Sequence, residues 1–330
     1  MTRRRPVNHS DPIRLPPPHP MARRAALPWH QPKSVQDDAT AADAVRAIVQ
    51  HASYREADRD VDFLAQNDTR GVRLQLDYLK AELLLTEHGI AHTIVVFGGT
   101  RVAEKRAARR QAAACAADHA ANPEEAAARR RLSIARRVEA NSRYYDIARA
   151  FGGLVGAAST RARGGRITVM TGGGPGIMEA ANRGAHDLGC KSVGLNISLP
   201  HEQYPNPYVA PELCFNFHYF AIRKLHFLLR ARALVVFPGG YGTLDELFEV
   251  LNLVQTRKIA PLPVVLVGEA YWRRVFDPDF LVDEGMIDPE DRELFWFAET
   301  AEETWHGILR WYEGAGAPLL EPDTNQGPGA

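Results

Sequence analysis

Short apolar runs alternate along the chain with longer stretches of helical spacing. Between residues 72 and 85, apolar side chains recur every three or four positions, which predicts a helix with one apolar face. The run 93–97 is rich in β-branched residues and ends in two glycines, as is typical of a buried parallel strand. From residue 167 onward the alternation becomes regular. It predicts strands at 167–170, 192–197, 233–237 and 263–267 and helices at 177–188, 220–232, 243–256 and 271–283.

This alternation predicts an α/β protein. Strands separated by helices of this length imply right-handed crossovers and a parallel sheet that is covered on both faces. We therefore expect a Rossmann-like, doubly wound parallel sheet with an N-terminal helical addition. Asn122-Pro123 divides the Ala- and Arg-rich region 101–137 into two further helices. We expect their basic faces to be solvated, with a subunit contact or an anion-attracting surface as the alternatives.

Composition divides the chain into four predicted parts. Residues 1–34 hold eight prolines and six arginines but a single acidic residue, which predicts a disordered basic tail. It is interpreted as a solvated leader or an over-long start before Met21, with a nucleic-acid-binding arm as the alternative. A helical segment over 35–90 and the Rossmann-like domain over 91–313 follow. The Gly- and Pro-rich end, 314–330, is predicted to be a second disordered tail.

Charge and cysteine content narrow the class of protein. Lys plus Arg equals Asp plus Glu at 40 each, which gives no general attraction to nucleic acid or anionic membranes. The widely spaced Cys115, Cys190 and Cys214 exclude a disulfide scaffold and favour a reducing compartment. Apolar runs stay short of the roughly 18 residues of a membrane span, and the N-terminus lacks the apolar region of a signal peptide. We therefore expect a soluble, cytoplasmic protein.

Two glycine-rich turns each follow a predicted strand and open a predicted helix. They read T-G-G-G-P-G-I-M-E from Thr171 and P-G-G-Y-G-T-L-D-E from Pro238. Ligands of parallel sheets bind beyond the carboxyl ends of the strands, where glycines let backbone amides approach an anion beside a helix N-terminus. Either turn alone is compatible with a purely structural role. Two such turns in one sheet predict a phosphate site.

The spacing within the turns limits the ligand. Neither turn is a G-x-G-x-x-G dinucleotide fingerprint. The position of the third glycine is occupied by Ile177 in the first turn and by Asp245 in the second. A G-x-x-x-x-G-K-[ST] motif is absent from the sequence, which excludes a triphosphate-binding P-loop. His, Cys, Asp and Glu show no metal-ligand spacing. A nucleoside monophosphate, with its single phosphate, needs none of these motifs.

Two charged side chains near the turns are candidates for chemistry. Thr243 and Glu246 have the spacing of a capping box, so Glu246 is either a helix cap or a catalytic carboxylate at the helix mouth. Arg223 is expected to point away from the apolar face of its helix, along the face of Arg230, as a solvated or salt-bridged side chain. The predicted buried stripes are Leu244, Leu247, Phe248 and Leu251 in the later helix and Ile222, Leu225 and Leu229 in the earlier one.

These residues resemble the LOG (LONELY GUY) family. The segment 238–246 matches its P-G-G-x-G-T-x-x-E signature and Arg223-Lys224 its R-K pair, while 171–182 and 194–200 look like the longer bacterial branch. The resemblance covers about residues 92–300. It implies a Rossmann-like nucleotide-binding fold, homodimers or higher assemblies, and hydrolysis of the N-glycosidic bond of adenosine-type 5′-monophosphates. Family members were often labelled lysine decarboxylases, but nothing in this sequence identifies a pyridoxal-phosphate site.

The resemblance also implies a role for individual residues. Glu246 would stabilise the positive charge that develops on the ribose and activate water, and Arg223 would orient and neutralise the substrate. We expect Glu246 to be ionised because it lies near a helix N-terminus. No metal and no cofactor are expected. The implied phosphate- and nucleotide-binding residues are Gly173, Gly174, Gly176, Lys224, Gly239, Gly240, Gly242 and Thr243.

The substrate and the class of function leave alternatives open. The first strand ends in G-G-T-R at 98–101, where short family members have a G-S-S type turn. AMP, or another purine or pyrimidine monophosphate, is therefore at least as good a candidate as a cytokinin riboside monophosphate. A non-catalytic nucleotide-binding sensor or scaffold is the main alternative, although it would not need the Arg223/Glu246 pair. Nucleic-acid binding through the N-terminal arginines is disfavoured by the neutral overall charge.

Overall fold

A computed structural model describes residues 33–161, 167–199 and 204–320. The predicted basic tail lies outside these ranges except for residues 33 and 34, so its disorder stays a prediction. Of the predicted C-terminal tail, residues 314–320 are described: the last helix extends to Gly314, and Leu319 and Leu320 pack against the core. The disorder predicted for 321–330 stays a prediction. The chain divides into two compact units, Met1–Thr69 and Arg70–Ala330. Compactness alone does not define independently folding domains, and the predicted domain boundaries also stay predictions.

The described part of the first unit contains two short α-helices. They are α1 (Ala41–Gln50) and α2 (Val61–Leu64). The side chain of Asp60 caps α2, because its carboxylate accepts a hydrogen bond from the amide of Phe63 at 3.1 Å and pairs with Arg55 at 3.2 Å. This unit is a local helical arrangement.

The second unit is built on a single parallel sheet, which in the described residues has seven strands. From the first strand, at the centre, the second to fourth strands are added toward one edge of the sheet and the fifth to seventh toward the other. The direction of winding therefore reverses between the first and fifth strands. The predicted doubly wound α/β fold is confirmed. The strands are β1 (His92–Phe97), β2 (Ile167–Thr171), β3 (Val193–Ile197), β4 (Cys214–Phe217), β5 (Ala231–Val236), β6 (Val264–Val267) and β7 (Trp296–Ala298), and they pair in the order β4-β3-β2-β1-β5-β6-β7.

Helices cover both faces of the sheet. The helices are α3 (Arg70–Glu87), α4 (Lys105–Ala121), α5 (Ala126–Asn141), α6 (Arg143–Arg161), α7 (Ile177–His186), α8 (Phe220–Leu229), α9 (Tyr241–Gln255), α10 (Glu269–Val275), α11 (Pro278–Asp283) and α12 (Ala301–Gly314). One core lies under α6, α7 and α12 and includes the buried Phe151 and Ile177. The other lies under α3, α8, α9 and α10 and includes Phe227, Leu247 and Trp272. This covering explains why the central strands are apolar on both faces.

The structure departs from the predicted elements at the edges of the sheet. Strands β4 and β7 were not predicted, because an edge strand of three or four residues has too little alternation to stand out. The single helix predicted over 271–283 is two helices, because Pro278 begins a new one. The carboxylate of Asp277 caps it by accepting from the amides of Asp279 and Phe280. No described helix has the length and apolar character needed to cross a membrane.

The apolar stripe predicted for α3 is not buried. The helix is present, but its buried residues are Ala81 and Leu85. The side chains that set the periodicity are exposed in the single chain because the sheet contacts the adjacent face of the helix. They are Val72, Leu76, Leu79 and Leu83, at 47, 51, 36 and 64% exposure.

Candidate functional site

A cavity of about 730 Å³ lies at the carboxyl ends of β1 and β5. This is the point at which the strand order reverses, where open α/β sheets bind their ligands. The walls come from the turn after β1, the turn after β5 and the inner face of α8. The two turns are tied together, because the amide of Gly99 donates to the carbonyl of Pro238 at 2.9 Å.

The turn after β5 ends in the N-terminus of α9, which begins at Tyr241. Gly240 is the N-cap residue and supplies no side-chain cap. Among the hydrogen bonds of the described residues, the amides of Gly240, Tyr241 and Gly242 have no backbone acceptor, as expected for the first turn of a helix. Gly239 must be glycine, because a Cβ there would overlap the side chain of Thr243. The turn therefore presents free amides at the cavity wall.

The capping box predicted at Thr243 and Glu246 is wrong. The helix begins at Tyr241, two residues earlier than predicted, so Thr243 is its third residue and not its N-cap. The side chain of Thr243 is buried. The buried stripe of α9 includes Glu246 itself, with Leu247 and Val250, whereas Phe248 is 41% exposed. Glu246 is thus a buried carboxyl that lines the cavity, and it is not a cap at the helix mouth.

Burial disfavours the ionised form of Glu246, whereas the sequence led us to expect that form to be favoured. Its side chain is 10% exposed, and this burial raises its pKa to about 7. The charges of Lys224 and Arg223 oppose the rise, and those of Glu249 and Asp245 add to it. Removal of the carboxylate from water therefore outweighs the attraction of Lys224 and Arg223, and burial is an effect that the sequence argument did not include.

Lys224 lies beside Glu246 and outside the lining of the cavity. Its Nζ contacts Asp245 Oδ2 at 2.9 Å, Glu249 Oε2 at 2.8 Å and Glu246 Oε2 at 3.5 Å. Burial lowers the pKa of the Lys224 ammonium group, but its hydrogen bonds to Glu249 and Asp245 have the larger combined effect, so the pKa is raised. Lys224 is therefore the shared counter-ion of three carboxylates on α9.

Arg223 points inward, and the apolar face predicted for its helix is wrong. Leu225 and Leu229 are 43 and 46% exposed, while Phe227 is buried. Arg223 lies one turn before Phe227, and its guanidinium carbon is 5.3 Å from the centre of that ring. The side chain therefore lines the cavity. Sequence periodicity failed here because the leucines face away from the sheet.

The guanidinium group of Arg223 has hydrogen-bonding capacity to spare. Its Nε is buried and has no hydrogen-bond partner among the described residues. Burial lowers its pKa, and the charge of Glu246 opposes this change. An arginine nevertheless stays protonated in proteins, so the cavity holds a charged donor that lacks an acceptor. Such a group is suited to an oxygen-rich or anionic ligand.

The turn after β2 has a different role from the turn after β5. Gly172 lines the cavity, and a Cβ at this position would lie 2.8 Å from Nη2 of Arg223. Gly173, Gly174 and Gly176 lie outside the lining. The amide of Gly173 donates to the hydroxyl of Thr171 at 2.9 Å, whereas the carbonyl of Gly174 accepts from Asn206 Nδ2 at 3.0 Å and that of Gly176 accepts from the amide of Ala180 at 2.9 Å. These glycines shape the turn, and their contact with phosphate stays a prediction.

Buried asparagines hold the turn after β2. Asn182 is fully buried and accepts from Thr171 Oγ1 at 2.8 Å and from Asn206 Nδ2 at 3.0 Å. Asn206 Nδ2 also lies 3.0 Å from the carbonyl of Gly174, and Asn182 donates to Ser192 at 2.9 Å. Sequence reasoning missed this network. The signal was a polar residue inside the apolar stripe of α7.

Sequence reasoning also missed polar and aromatic residues in the cavity wall. The most important is Tyr271 in α10, whose hydroxyl donates to the carbonyl of Gly239. Nothing near it in the sequence marks it, because it meets the turn only through the fold. In the described residues, no cluster of three or more His, Cys, Asp or Glu is placed to hold a metal ion. Other lining residues that were not predicted are Asn141, Asn196, Phe220 and Tyr241.

The chain is similar to known proteins over a segment that includes Arg223 and Glu246. Residues 178–308, which include both Arg223 and Glu246, match a family model described as "Possible lysine decarboxylase". Over 139 residues the chain is 32% identical to cytokinin riboside 5′-monophosphate phosphoribohydrolase LOG3 of Arabidopsis thaliana, covering 41% of this chain and 63% of that protein. Over 142 residues it is 32% identical to the phosphoribohydrolase LOG of Oryza sativa subsp. japonica, covering 41% and 56%.

The matches are partial. The chain spans 63% and 56% of the lengths of these two relatives. Among solved structures, a molybdenum cofactor binding protein from Rippkaea orientalis aligns with a TM-score of 0.37 and 18% identity, over 52% of this chain and 88% of that one. The chain is thus similar to LOG phosphoribohydrolases over part of its length, in the region that holds the glycine-rich turn from Pro238 and the Arg223-Lys224 pair.

Proposed function

We propose that the protein hydrolyses the N-glycosidic bond of nucleoside 5′-monophosphates and releases a free base and ribose 5-phosphate. AMP and cytokinin riboside 5′-monophosphates are the candidate substrates. The observation that supports the proposal is that three groups line the same cavity. They are the buried carboxyl of Glu246, the guanidinium group of Arg223, whose Nε lacks a hydrogen-bond partner among the described residues, and the first turn of α9. The named phosphoribohydrolase relatives support the same reaction class.

The first turn of α9 supplies the phosphate end of the proposed site. The amides of Gly240, Tyr241 and Gly242 are free to donate, and the helix end adds a partial positive charge. Gly240 and Gly242 have open space where a Cβ would stand, so a phosphate can approach the backbone closely. Binding energy from this remote group positions the ribose for reaction.

Glu246 supplies the reacting end. Cleavage of the C1′–N bond places positive charge on the ribose, and a nearby carboxylate stabilises that charge. Water adds its oxygen to C1′ and gives a proton to the carboxylate, while the base leaves with the bonding electrons and takes up a proton. A pKa of about 7 suits Glu246 to this exchange, because the group accepts and releases a proton near neutrality.

Arg223 acts on the substrate without giving up its proton. Its free Nε–H can donate to a substrate oxygen, and its charge offsets that of the bound phosphate. The nearby aromatic ring of Phe227 and the absence of a side chain at Gly172 fix the position of the guanidinium group. Arg223 therefore orients the substrate beside Glu246.

A lysine decarboxylase function is not supported by the site. Pyridoxal phosphate is held as a Schiff base by a lysine. None of the described residues that line the cavity is a lysine, and the ammonium group of the adjacent Lys224 faces the carboxylates of Asp245 and Glu249. The residues present therefore do not suit that cofactor, and no step is assigned to it.

We also propose that the chain self-associates. The exposed stripe of α3 adjoins α8, since Glu82 of α3 pairs with Arg230 just after α8 at 2.7 Å. Leu225 and Leu229 of α8 are exposed as well, so two adjacent helices present apolar side chains to solvent. Contiguous exposed apolar surface of this kind is typical of protein interfaces.

A panel of nucleoside monophosphates tests the function directly. The purified protein is incubated with each nucleotide, with and without a chelator, and free base is measured by chromatography. We expect release of adenine from AMP that does not depend on added metal or pyridoxal phosphate. Binding of nucleotide without release of base would favour the hypothesis of a non-catalytic sensor or scaffold. Release of carbon dioxide from lysine would support a lysine decarboxylase function instead.

A further inference from the structure

The peptide bond between Gly239 and Gly240 is held by a side chain from a distant part of the sequence. The hydroxyl of Tyr271, in α10, donates a hydrogen bond to the carbonyl oxygen of Gly239. All three residues line the cavity. The chemistry proposed above makes no use of Tyr271.

A hydrogen bond to a Gly-Gly peptide matters because neither residue has a side chain that restricts its backbone. Glycine adopts both signs of φ with ease, and a Cβ at Gly240 would meet nothing within 4 Å. The carbonyl and the amide of a trans peptide point in opposite directions. A hydrogen bond that fixes the carbonyl of Gly239 therefore also fixes the N–H of Gly240, one of the free amides at the start of α9.

Tyr271 acts from a rigid position. Its neighbour Trp272 is fully buried, and the indole nitrogen of Trp272 donates to the carbonyl of Val267 at 3.0 Å. Helix α10 begins after Gly268, whose φ of 90° lies in the left-handed region that favours glycine. The hydroxyl of Tyr144 approaches the position where a Cβ of residue 268 would stand. The start of α10, and with it the tyrosine hydroxyl, is thereby fixed relative to the sheet.

We propose that Tyr271 is a positioning residue for the 5′-phosphate. By holding the carbonyl of Gly239, it keeps the amide of Gly240 in the orientation that binds the phosphate. This inference rests on the proposed function, because it assumes that the first turn of α9 receives the phosphate. It predicts that the tyrosine hydroxyl contributes to the recognition of nucleotides and not to the recognition of nucleosides.

The test compares Tyr271→Phe with a matched control. Tyr312→Phe removes the same kind of hydrogen bond, from a half-buried tyrosine hydroxyl to a backbone carbonyl, that of Arg232, at a site outside the cavity lining. Binding of AMP and of adenosine is measured for each protein by calorimetry, together with kcat, KM and thermal stability. The phenylalanine ring retains the packing of the tyrosine ring, so the variant differs by one hydroxyl group.

We expect Tyr271→Phe to raise the Kd and KM for AMP about tenfold, the loss of one hydrogen bond in a charged site, with kcat and adenosine binding little changed. Tyr312→Phe should change none of these. Equal losses for AMP and adenosine, or no loss for AMP, would overturn the positioning role while leaving the proposed reaction intact. If the wild-type protein neither binds nor cleaves AMP, that result contradicts the proposed function, and with it the positioning role of Tyr271.

Discussion

The ammonium group of Lys224 lies 3.5 Å from a carboxylate oxygen of Glu246. The two residues come from different helices, α8 and α9, and both are largely shielded from water, with side chains 16 and 10% exposed. Lys224 also binds Asp245 and Glu249, so its single positive charge is shared among three carboxylates. Burial raises the pKa of Glu246, and the charge of Lys224 opposes this rise only in part because Lys224 also pairs with Asp245 and Glu249.

Replacement of Glu246 by Gln should separate catalysis from binding. The change keeps the size of the side chain and removes the charge that stabilises the ribose cation, so we expect turnover of AMP to fall by about 10²-fold or more. Nucleotide affinity should persist, because the phosphate is held by the turn. Glu249→Gln is the matched control, since Glu249 also binds Lys224 but lies outside the cavity lining. Full activity in Glu246→Gln would contradict a catalytic role for Glu246 and would favour the sensor or scaffold hypothesis.

The pH dependence of turnover should report the ionisation of Glu246. The carboxylate is the active form, and burial raises its pKa from 4.5 to about 7. We therefore expect kcat/KM to rise with pH through about 7 and then to level off. Because folding raises this pKa, the folded protein holds the proton more tightly than the unfolded chain does. The contribution of Glu246 to stability should then fall as the pH rises from about 4.5 through 7. A flat rate profile between pH 5 and 9 would contradict this assignment.

Lys224→Met should move the same profile to higher pH. The ammonium group lowers the pKa of Glu246, so its removal leaves the carboxyl with two neighbouring acids and less compensation. We expect the midpoint of the kcat/KM profile to shift upward, with a smaller loss of activity at pH 9 than at pH 7. Lys224→Arg restores a positive charge and should return the midpoint toward that of the wild type. An unchanged midpoint in Lys224→Met would show that another group controls the profile.

The exposed face of α3 should mediate self-association. We expect the double change Leu76→Glu and Leu83→Glu to convert an oligomer into monomers, because charges at an apolar contact are costly to bury. Light scattering after size-exclusion chromatography measures the mass. Met286→Glu, at a residue 69% exposed outside α3 and α8, is the control and should leave the mass unchanged. A wild-type protein that is already monomeric, or a variant that stays oligomeric, would place the interface elsewhere or remove it.

Local patterns in the sequence were sufficient to predict five of the seven described strands and the two glycine-rich turns. The run 93–97, the turn from Pro238 and the helix that follows it are defined by neighbours in the chain, and the structure places them almost as predicted. The alternation of strands and helices also implied that the turns meet at one edge of a parallel sheet. Residues 223 and 246 were candidates from their positions near the turns, but their roles could be assigned only by resemblance to a known family.

Tertiary structure decided the electrostatic state of the site and the direction of its side chains. The ionisation of Glu246 depends on how α8 and α9 exclude water around it, and Arg223 turns inward because the sheet packs against Phe227. Tyr271 reaches Gly239 from 32 residues away in the sequence. Periodicity records which residues share a face of one element, but burial and charge depend on every element packed around a group. For that reason the sequence alone predicted the fold and the edge of the sheet at which the candidate site lies, while packing raised the pKa of its carboxyl and set the orientation of its donors.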